Sequence, residues 1–344
     1  MTSFGSEVIL NNNGTPHTSA SKCPMGSILF MKKKMIRKNF KLNTGECKPV
    51  LSIPAQLDLM IERGLIVEDR ENALDIIRRT SYYRLSAYSL SLKKNDQFYD
   101  GITFDNIYEL YRFDDAFRKI VFDYASYVEI AFRAYISHTL SKKYGPLGYM
   151  DPNNFENKDY HASFIDHLTK EIKRSDDIFV EHHYQHYNSV FPAWVAIECS
   201  SFGDLSKLFN NMKLEDKNCI IDLWLPDTVK YVPTWLHCSV YARNIAAHGG
   251  RFYNRKFKSV SVKLQGQLKK KFSGESPFAY IFAINKLLPS KALTIQLRKD
   301  LAMLFKKYPF AQMEKMGFPK DWRDILVQQS HDFSFYKHIN EINI

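Results

Sequence analysis

The residues best suited to chemistry form one short run, Arg243-Asn244-Ile245-Ala246-Ala247-His248. Their types suit cleavage of RNA without a metal. In that reaction the ribose 2′-hydroxyl attacks the adjacent phosphate, so one group must take its proton and another must protonate the leaving oxygen. Histidine can perform both transfers near neutral pH. A permanently charged guanidinium offers a fork of donors to the phosphate as charge builds up. On a helix Asn244 and His248 share a face, whereas Arg243 lies ~140° round from His248. Arg243 must therefore reach round the helix or serve the site of a second copy.

Spacing alone is weak evidence. With 15 arginines and 11 histidines in 344 residues, one or two Arg/His pairs with four to six intervening residues are expected by chance. The chain has two, Arg243/His248 and Arg133/His138. Arg133 also has a plainer role open to it, as the ion-pair partner of Glu129 four residues earlier. Context favours the first pair, which closes a predicted helix just before Gly249-Gly250 and a strongly basic segment.

That segment is one of two that account for the formal net charge of +11. Residues 31–48 carry +6, and residues 251–271 carry +8 with no acid, which leaves −3 for the rest. A near-neutral body with two basic patches attracts polyanions through counterion release. Arg251, Arg255, Lys256, Lys258, Lys269, Lys270 and Lys271 are the candidate RNA-binding residues.

Other chemistries find less support. Cys23, Cys47, Cys199, Cys219 and Cys238 are scattered and odd in number, which fits neither a disulfide framework nor a zinc ribbon. His182, His183 and His186 include an i, i+4 pair, but beyond Glu181 no residue completes a metal site, so neither metal nor cofactor is expected. Cys238 beside His237 places neighbouring side chains on different helical faces. No phosphate-binding glycine loop is present. No stretch has the ~20 apolar residues that span a bilayer, and a cytoplasmic protein is expected.

The elements that must position the motif read as all-α. Residues 1–30 lack hydrophobic periodicity, and a disordered basic tail is predicted over 1–45. A helical domain follows over 46–330, with a C-terminal tail over 331–344. Helices are predicted from Pro54 to Glu62, from Glu71 to Arg79, and from an Asp105 cap to Gly145-Pro146. The long one carries an apolar stripe through Leu110, Phe113, Phe117, Ile120, Tyr124, Val128, Ala131 and Tyr135. It also carries two pairs that share a face, Asp114/Arg118 and Glu129/Arg133. Further helices are predicted over Tyr160–Arg174, from Pro192 through Ser201-Phe202-Gly203-Asp204 toward Phe209, and over Trp235–His248, Pro277–Leu288 and Lys291–Tyr308. Ser259-Val260-Ser261-Val262 gives the one clean strand alternation. The aromatic residues, Tyr82 and Tyr83 among them, read chiefly as core rather than as base-stacking groups.

Several blocks occur in the order found in one family. Ser81-Tyr82-Tyr83-Arg84-Leu85-Ser86-Ala87-Tyr88 is similar to a Y-Y-R-L-S-G-Y block, with Ala87 in place of glycine. Tyr111-Arg112-Phe113-Asp114-Asp115-Ala116-Phe117-Arg118 is similar to Y-x-F-D-R-x-L-R, with Asp115 in place of arginine. Glu129 and Arg133, Tyr144-Gly145, Pro192-Ala193-Trp194 and Ser201-Phe202-Gly203 follow. Then come Trp235-Leu236, Arg243-Asn244, Ala247-His248, Arg251-Phe252-Tyr253-Asn254-Arg255 and Met316-Gly317-Phe318-Pro319-Lys320-Asp321-Trp322. Across roughly residues 48–325 the chain thus resembles the Abi-like abortive-infection proteins of the AbiD/AbiF type, of the HEPN superfamily.

The resemblance implies a HEPN-like helical bundle with helical elaborations and a metal-independent endoribonuclease that acts in phage defence as a toxin. It implies a homodimer whose Arg/His motifs meet across a two-fold. Arg243 would bind or stabilise the phosphate, His248 would handle protons, and Asn244 would orient one of them. Glu129, Arg133 and His138 form a possible second cluster facing the same cleft. The partners expected are cellular or phage RNA, a second copy, and an antitoxin of RNA or protein. The alternative is a non-catalytic RNA-binding or protein-interaction component of a defence or toxin–antitoxin system.

Overall fold

The computed structural model describes residues 49–221 and 229–328. The predicted tails at 1–45 and 331–344 and the basic run at 31–48 lie outside the described residues. Contacts divide the chain after Val50, and every element below belongs to the unit that begins at Leu51.

As expected of an all-α chain, the described residues form helices and one small hairpin. The first helices are α1 (Ile53–Glu62), α2 (Arg70–Thr80) and α3 (Tyr82–Ser86), followed by the long α4 (Phe104–Tyr144). Next come α5 (Lys158–Arg174), α6 (Ile178–His186), α7 (Ala193–Ala196), α8 (Phe202–Asn211) and α9 (Leu214–Ile221). The remainder are α10 (Val232–Ala247), α11 (Leu268–Lys271), α12 (Pro277–Leu287), α13 (Lys291–Lys307) and α14 (Trp322–Gln328).

Helix α4 is the spine, 41 residues and ~60 Å long at 1.5 Å per residue. Its cap is Thr103 rather than Asp105. The Thr103 hydroxyl accepts from the Asn106 amide at 3.2 Å, and the Asn106 carboxamide oxygen accepts from the Thr103 amide at 3.0 Å. This reciprocal box satisfies two otherwise orphaned donors, while Asp105 sits in the first turn. The far end stops at Gly145, whose φ of 80° the following Pro146 keeps from resuming the helix.

The apolar stripe of α4 is buried against α10, α12 and α13 on one side and against α7, α8 and α9 further along. Ile120 and Tyr135 from the predicted stripe are only half-buried, and Val121, Ala125, Phe132 and Ile136 take the core positions beside them. Helix α12 is buried on every side and packs against both α10 and α4. The buried Trp235 of α10 donates from Nε1 to the Lys263 carbonyl at 2.9 Å, which ties the basic segment to that helix.

Two expectations fail. The helix predicted from Pro192 to Phe209 is broken at Ser200, whose extended backbone separates α7 and a short 3-10 turn from α8. Ser201 then caps α8 by accepting from the Asp204 amide at 3.1 Å. The Ser259–Val262 alternation forms no strand. Val260, Val262 and Leu264 are buried at alternate positions of an irregular segment, whose backbone bonds run to Gly274 and Glu275. The described strands are instead β1 (Lys93–Lys94) and β2 (Gln97–Phe98), joined through Asn95 and Asp96 at φ of 51° and 63°. Among the described residues no helix is long and apolar enough to cross a membrane.

Candidate active site

The end of α10 fixes the histidine. The Gly249 amide donates to the Ala246 carbonyl at 3.2 Å, and the Gly250 amide donates to the Ile245 carbonyl at 2.8 Å. These paired bonds close the helix after Ala247, with His248 as its capping residue and Gly249 left-handed at φ 65°. A side chain at Gly250 would put its Cβ 2.8 Å from Ile245 Cγ2, so the turn needs both glycines. The imidazole of His248 is exposed and bonds to no described side chain, and Asn244 one turn earlier is exposed as well.

Arg243 points the other way, into a polar seam with α4. Its Nη2 donates to Glu129 Oε2 at 2.8 Å, its Nη1 donates to Asn244 Oδ1 at 3.1 Å, and its guanidinium lies 5.9 Å from the centre of the Phe202 ring. Glu129 is buried. Its other oxygen accepts from Arg133 Nη2 at 2.7 Å, and the same nitrogen donates to the Ser200 carbonyl at 2.8 Å. The break before α8 thus supplies a backbone acceptor to the cluster. Arg133 also lies 3.9 Å from Glu198, so two carboxylates face the two guanidinium groups and Glu129 is the one shared between them. Burial strengthens each bond by lowering the local dielectric.

The structure therefore brings Glu129 and Arg133 of the predicted second cluster to Arg243 itself. It does not bring His138, which is exposed on α4 and bonds to none of them. Five residues place His138 ~140° round the helix from Arg133, away from the seam.

The loop after His248 is held from beneath by Asp114. This fully buried carboxylate accepts from the Phe252 and Tyr253 amides (2.7 Å to the latter), from the Tyr88 hydroxyl at 2.8 Å and from Arg118 Nη1 at 2.9 Å. Burial pushes the Asp114 carboxyl up from its ordinary range, and the Arg118 charge pulls it back. Both amides and the guanidinium can only donate, which favours the ionised form. The Tyr88 phenol is pushed far up by burial and by the neighbouring Asp114 charge. Both predicted i, i+4 pairs on α4 are thus formed, Asp114–Arg118 and Glu129–Arg133.

The candidate RNA-binding residues divide into two kinds. Arg251 is half-buried and donates to the Tyr253 and Asn254 carbonyls, and burial depresses its pKa. Arg255 donates to the Arg251 carbonyl and lies 4.9 Å from the Phe257 ring centre. These two arginines brace their own loop. Lys256, Lys258, Lys269 and Lys270 are exposed, and Lys271 pairs with Asp321.

Two residues near His248 were missed as site groups in the sequence. The Arg84 guanidinium of α3 donates from Nη1 to the Gly249 carbonyl at 2.9 Å, and no described carboxylate pairs with it. Its neighbour Tyr83 is 86% exposed, whereas Tyr82 packs against the core. Tyr83 is therefore not the core residue expected. Elsewhere, the thiol of Cys238 is buried and pushed up to about 12, which leaves it unreactive. His182, His183 and His186 lie on α6, where the His183 ring bonds to the Val190 carbonyl at 2.9 Å. Among the described residues no group of three or more His, Cys, Asp or Glu side chains is placed to hold a metal ion.

A model of the family described as "Abi-like protein" matches residues 75–254, just over half of the chain. The match runs from α2 through the end of α10 to Asn254, and so contains Arg84, Asp114, Glu129, Arg133, Arg243 and His248. Neither the curated proteins nor the solved structures contain a match.

Proposed function

The chain belongs to the Abi-like protein family, and from that premise we propose that it is a metal-independent endoribonuclease of the HEPN type, acting in phage defence in the cytoplasm. The observation that carries this reading is the division of labour at the end of α10. An arginine is fixed by a buried carboxylate, while a histidine and an asparagine one turn apart face solvent on the same helix.

In the reaction the 2′-oxygen bonds to phosphorus and the P–O5′ bond breaks, leaving a 2′,3′-cyclic phosphate and a 5′-hydroxyl. The proton leaves the 2′-hydroxyl for a base, and the 5′-oxygen receives one from an acid. His248 is exposed, and an imidazole can perform either transfer near neutral pH. Arg243 holds the non-bridging phosphate oxygens, and Glu129 keeps its fork in place as charge develops. Asn244 offers an amide to orient the scissile phosphate. Each chain supplies one such histidine, so a homodimer that brings two motifs together gives one acid and one base. Cellular or phage RNA is the substrate, and an antitoxin of RNA or protein is the natural restraint on such an enzyme.

The test is incubation of the purified protein with total RNA in excess EDTA, followed by analysis of the product ends. Cyclic-phosphate ends from the wild type, and none from Arg243→Ala, are expected. A non-catalytic RNA-binding or protein-interaction component is the second reading. It is favoured by the engagement of Arg243 with Glu129 and by the exposed lysines 256, 258, 269 and 270. In that case RNA is bound and stays intact.

A further inference from the structure

Helix α3 is presented to the end of α10 in an unusual way. Ser81, which precedes it, has φ 68° and ψ 141°, a conformation that residues with a side chain rarely adopt. From that position its hydroxyl accepts from the Arg84 amide, capping a helix of only five residues. The turn sends Leu85 into the core and leaves Tyr83 and Arg84 outside.

Tyr83 is 86% exposed, the highest value of any tyrosine among the exposed large side chains described. A bare aromatic ring in water gains nothing by folding, so packing does not account for its position. Arg84 is anchored through a single nitrogen to the Gly249 carbonyl, next to His248. Its guanidinium covers the face of Gly249, where a Cβ would lie 3.4 Å from Nη1. That one bond aims the fork and leaves its remaining donors without a carboxylate among the described residues. Arg84 follows Tyr83 directly on α3, so both exposed side chains leave the same short helix where it meets the end of α10.

We propose that Tyr83 and Arg84 form a clamp for single-stranded RNA, in which Arg84 grips a phosphate beside the scissile one and Tyr83 stacks on a neighbouring unpaired base. This rests on the reading of His248 as the proton-transfer group and extends it to substrate class. A duplex keeps its bases stacked on one another and offers no free face to the ring, whereas a loop or single strand does. Stacking on an aromatic side chain tolerates any base, so the clamp selects strandedness rather than sequence.

The test measures binding of fluorescent single-stranded and duplex RNA by anisotropy, on the His248→Ala background so that nothing is cut. Tyr83→Ala is expected to weaken single-strand binding by about 5- to 150-fold, with Tyr83→Trp restoring it and duplex binding unchanged. Arg84→Ala is expected to flatten the slope of log K against log salt by about 0.7, the value of one lost single-strand phosphate contact. Unchanged single-strand affinity in Tyr83→Ala, or an equal loss for duplex, overturns the clamp. Its failure is separable from that of the catalytic reading. If the protein with His248 replaced cuts RNA as fast as the wild type, the catalytic assignment fails, while anisotropy on 2′-O-methyl RNA, which lacks the attacking hydroxyl, still decides the clamp.

Discussion

Asp114 and Asp115 are neighbours of identical chemistry, both bonded to Arg118, and the structure assigns them opposite consequences. Asp114 is fully buried and receives four donors, whereas Asp115 is half-exposed and bridges Arg118 at 2.8 Å and Lys119 at 3.1 Å. Replacing Asp114 by Asn leaves one oxygen for the Phe252 and Tyr253 amides and turns an amide nitrogen toward Arg118, donor against donor. Breaking this buried pair costs about 3–5 kcal/mol, and leaves Arg118 with Asp115 as its remaining carboxylate. At ~2.1 cal/mol/K of unfolding entropy per residue, a chain of 344 residues shifts by about 1.4 °C per kcal/mol, so Tm is expected to fall by about 4–7 °C. Asp115→Asn removes a surface pair that contributes about 0.2–1 kcal/mol, so Tm should move by less than about 2 °C. Thermal unfolding followed by circular dichroism compares the two, and urea titration checks that the m-value is unchanged. RNA cleavage should fall in Asp114→Asn beyond what unfolding explains, because the loop that follows His248 loses its support. Equal shifts in the two variants, or a larger one for Asp115→Asn, would refute the reasoning from burial.

Further expectations concern the rest of the site and the core. Glu129→Gln should lower cleavage about tenfold or more, the usual scale of a lost electrostatic support; steady-state kinetics should place the loss in kcat. Its Tm should fall by only a few degrees, since Arg243 and Arg133 stay partly solvated. Reversing Lys269 and Lys270 to Glu should weaken RNA binding and flatten its salt dependence without changing the single-turnover rate at saturating protein. Lys286 is buried in the α12 layer against Trp235 and Phe282, and burial brings its pKa down to about 8. The folded state therefore sheds this proton earlier than the unfolded chain, whose value is 10.5. The penalty is fully present below about pH 8 and is relieved as the pH rises toward 10.5, by an amount of about 3 kcal/mol. Urea unfolding across that window should show the wild type gaining stability relative to Lys286→Met; parallel curves would contradict it.

Much of the fold could be read locally, because helix boundaries are set by neighbours in sequence. Pro54, Gly64, Gly145 and Gly249 mark the ends they should, and the i, i+4 pairs of α4 formed because helical periodicity alone places them. The errors arose where a local signal had a competitor. Asp105 is a good cap, but Thr103 with Asn106 makes two bonds instead of one. Ser201-Phe202-Gly203-Asp204 carries helix periodicity and is also a start signal, and the Ser201 cap wins. Alternation at Ser259–Val262 reports alternate burial, which needs no sheet. The site was legible only in part for a different reason. Arg243 and His248 are five apart in sequence, but Glu129 reaches Arg243 across 114 residues and Arg84 reaches Gly249 across 165. No pattern along one chain encodes such contacts, although Arg84 did stand within a recognisable block. Arg251 and Arg255 were counted by charge, and charge does not distinguish a brace from a binding group.

His248 and His138 are both exposed histidines that follow an arginine by five residues, and the account gives only the first a part in the reaction. Single-turnover cleavage of one RNA in excess EDTA, with wild type, His248→Ala and His138→Ala side by side, tests this most directly. The account predicts a fall of about 10²–10³-fold for His248→Ala and a wild-type rate for His138→Ala. Wild-type cleavage by His248→Ala, or equal losses in both variants, would contradict it.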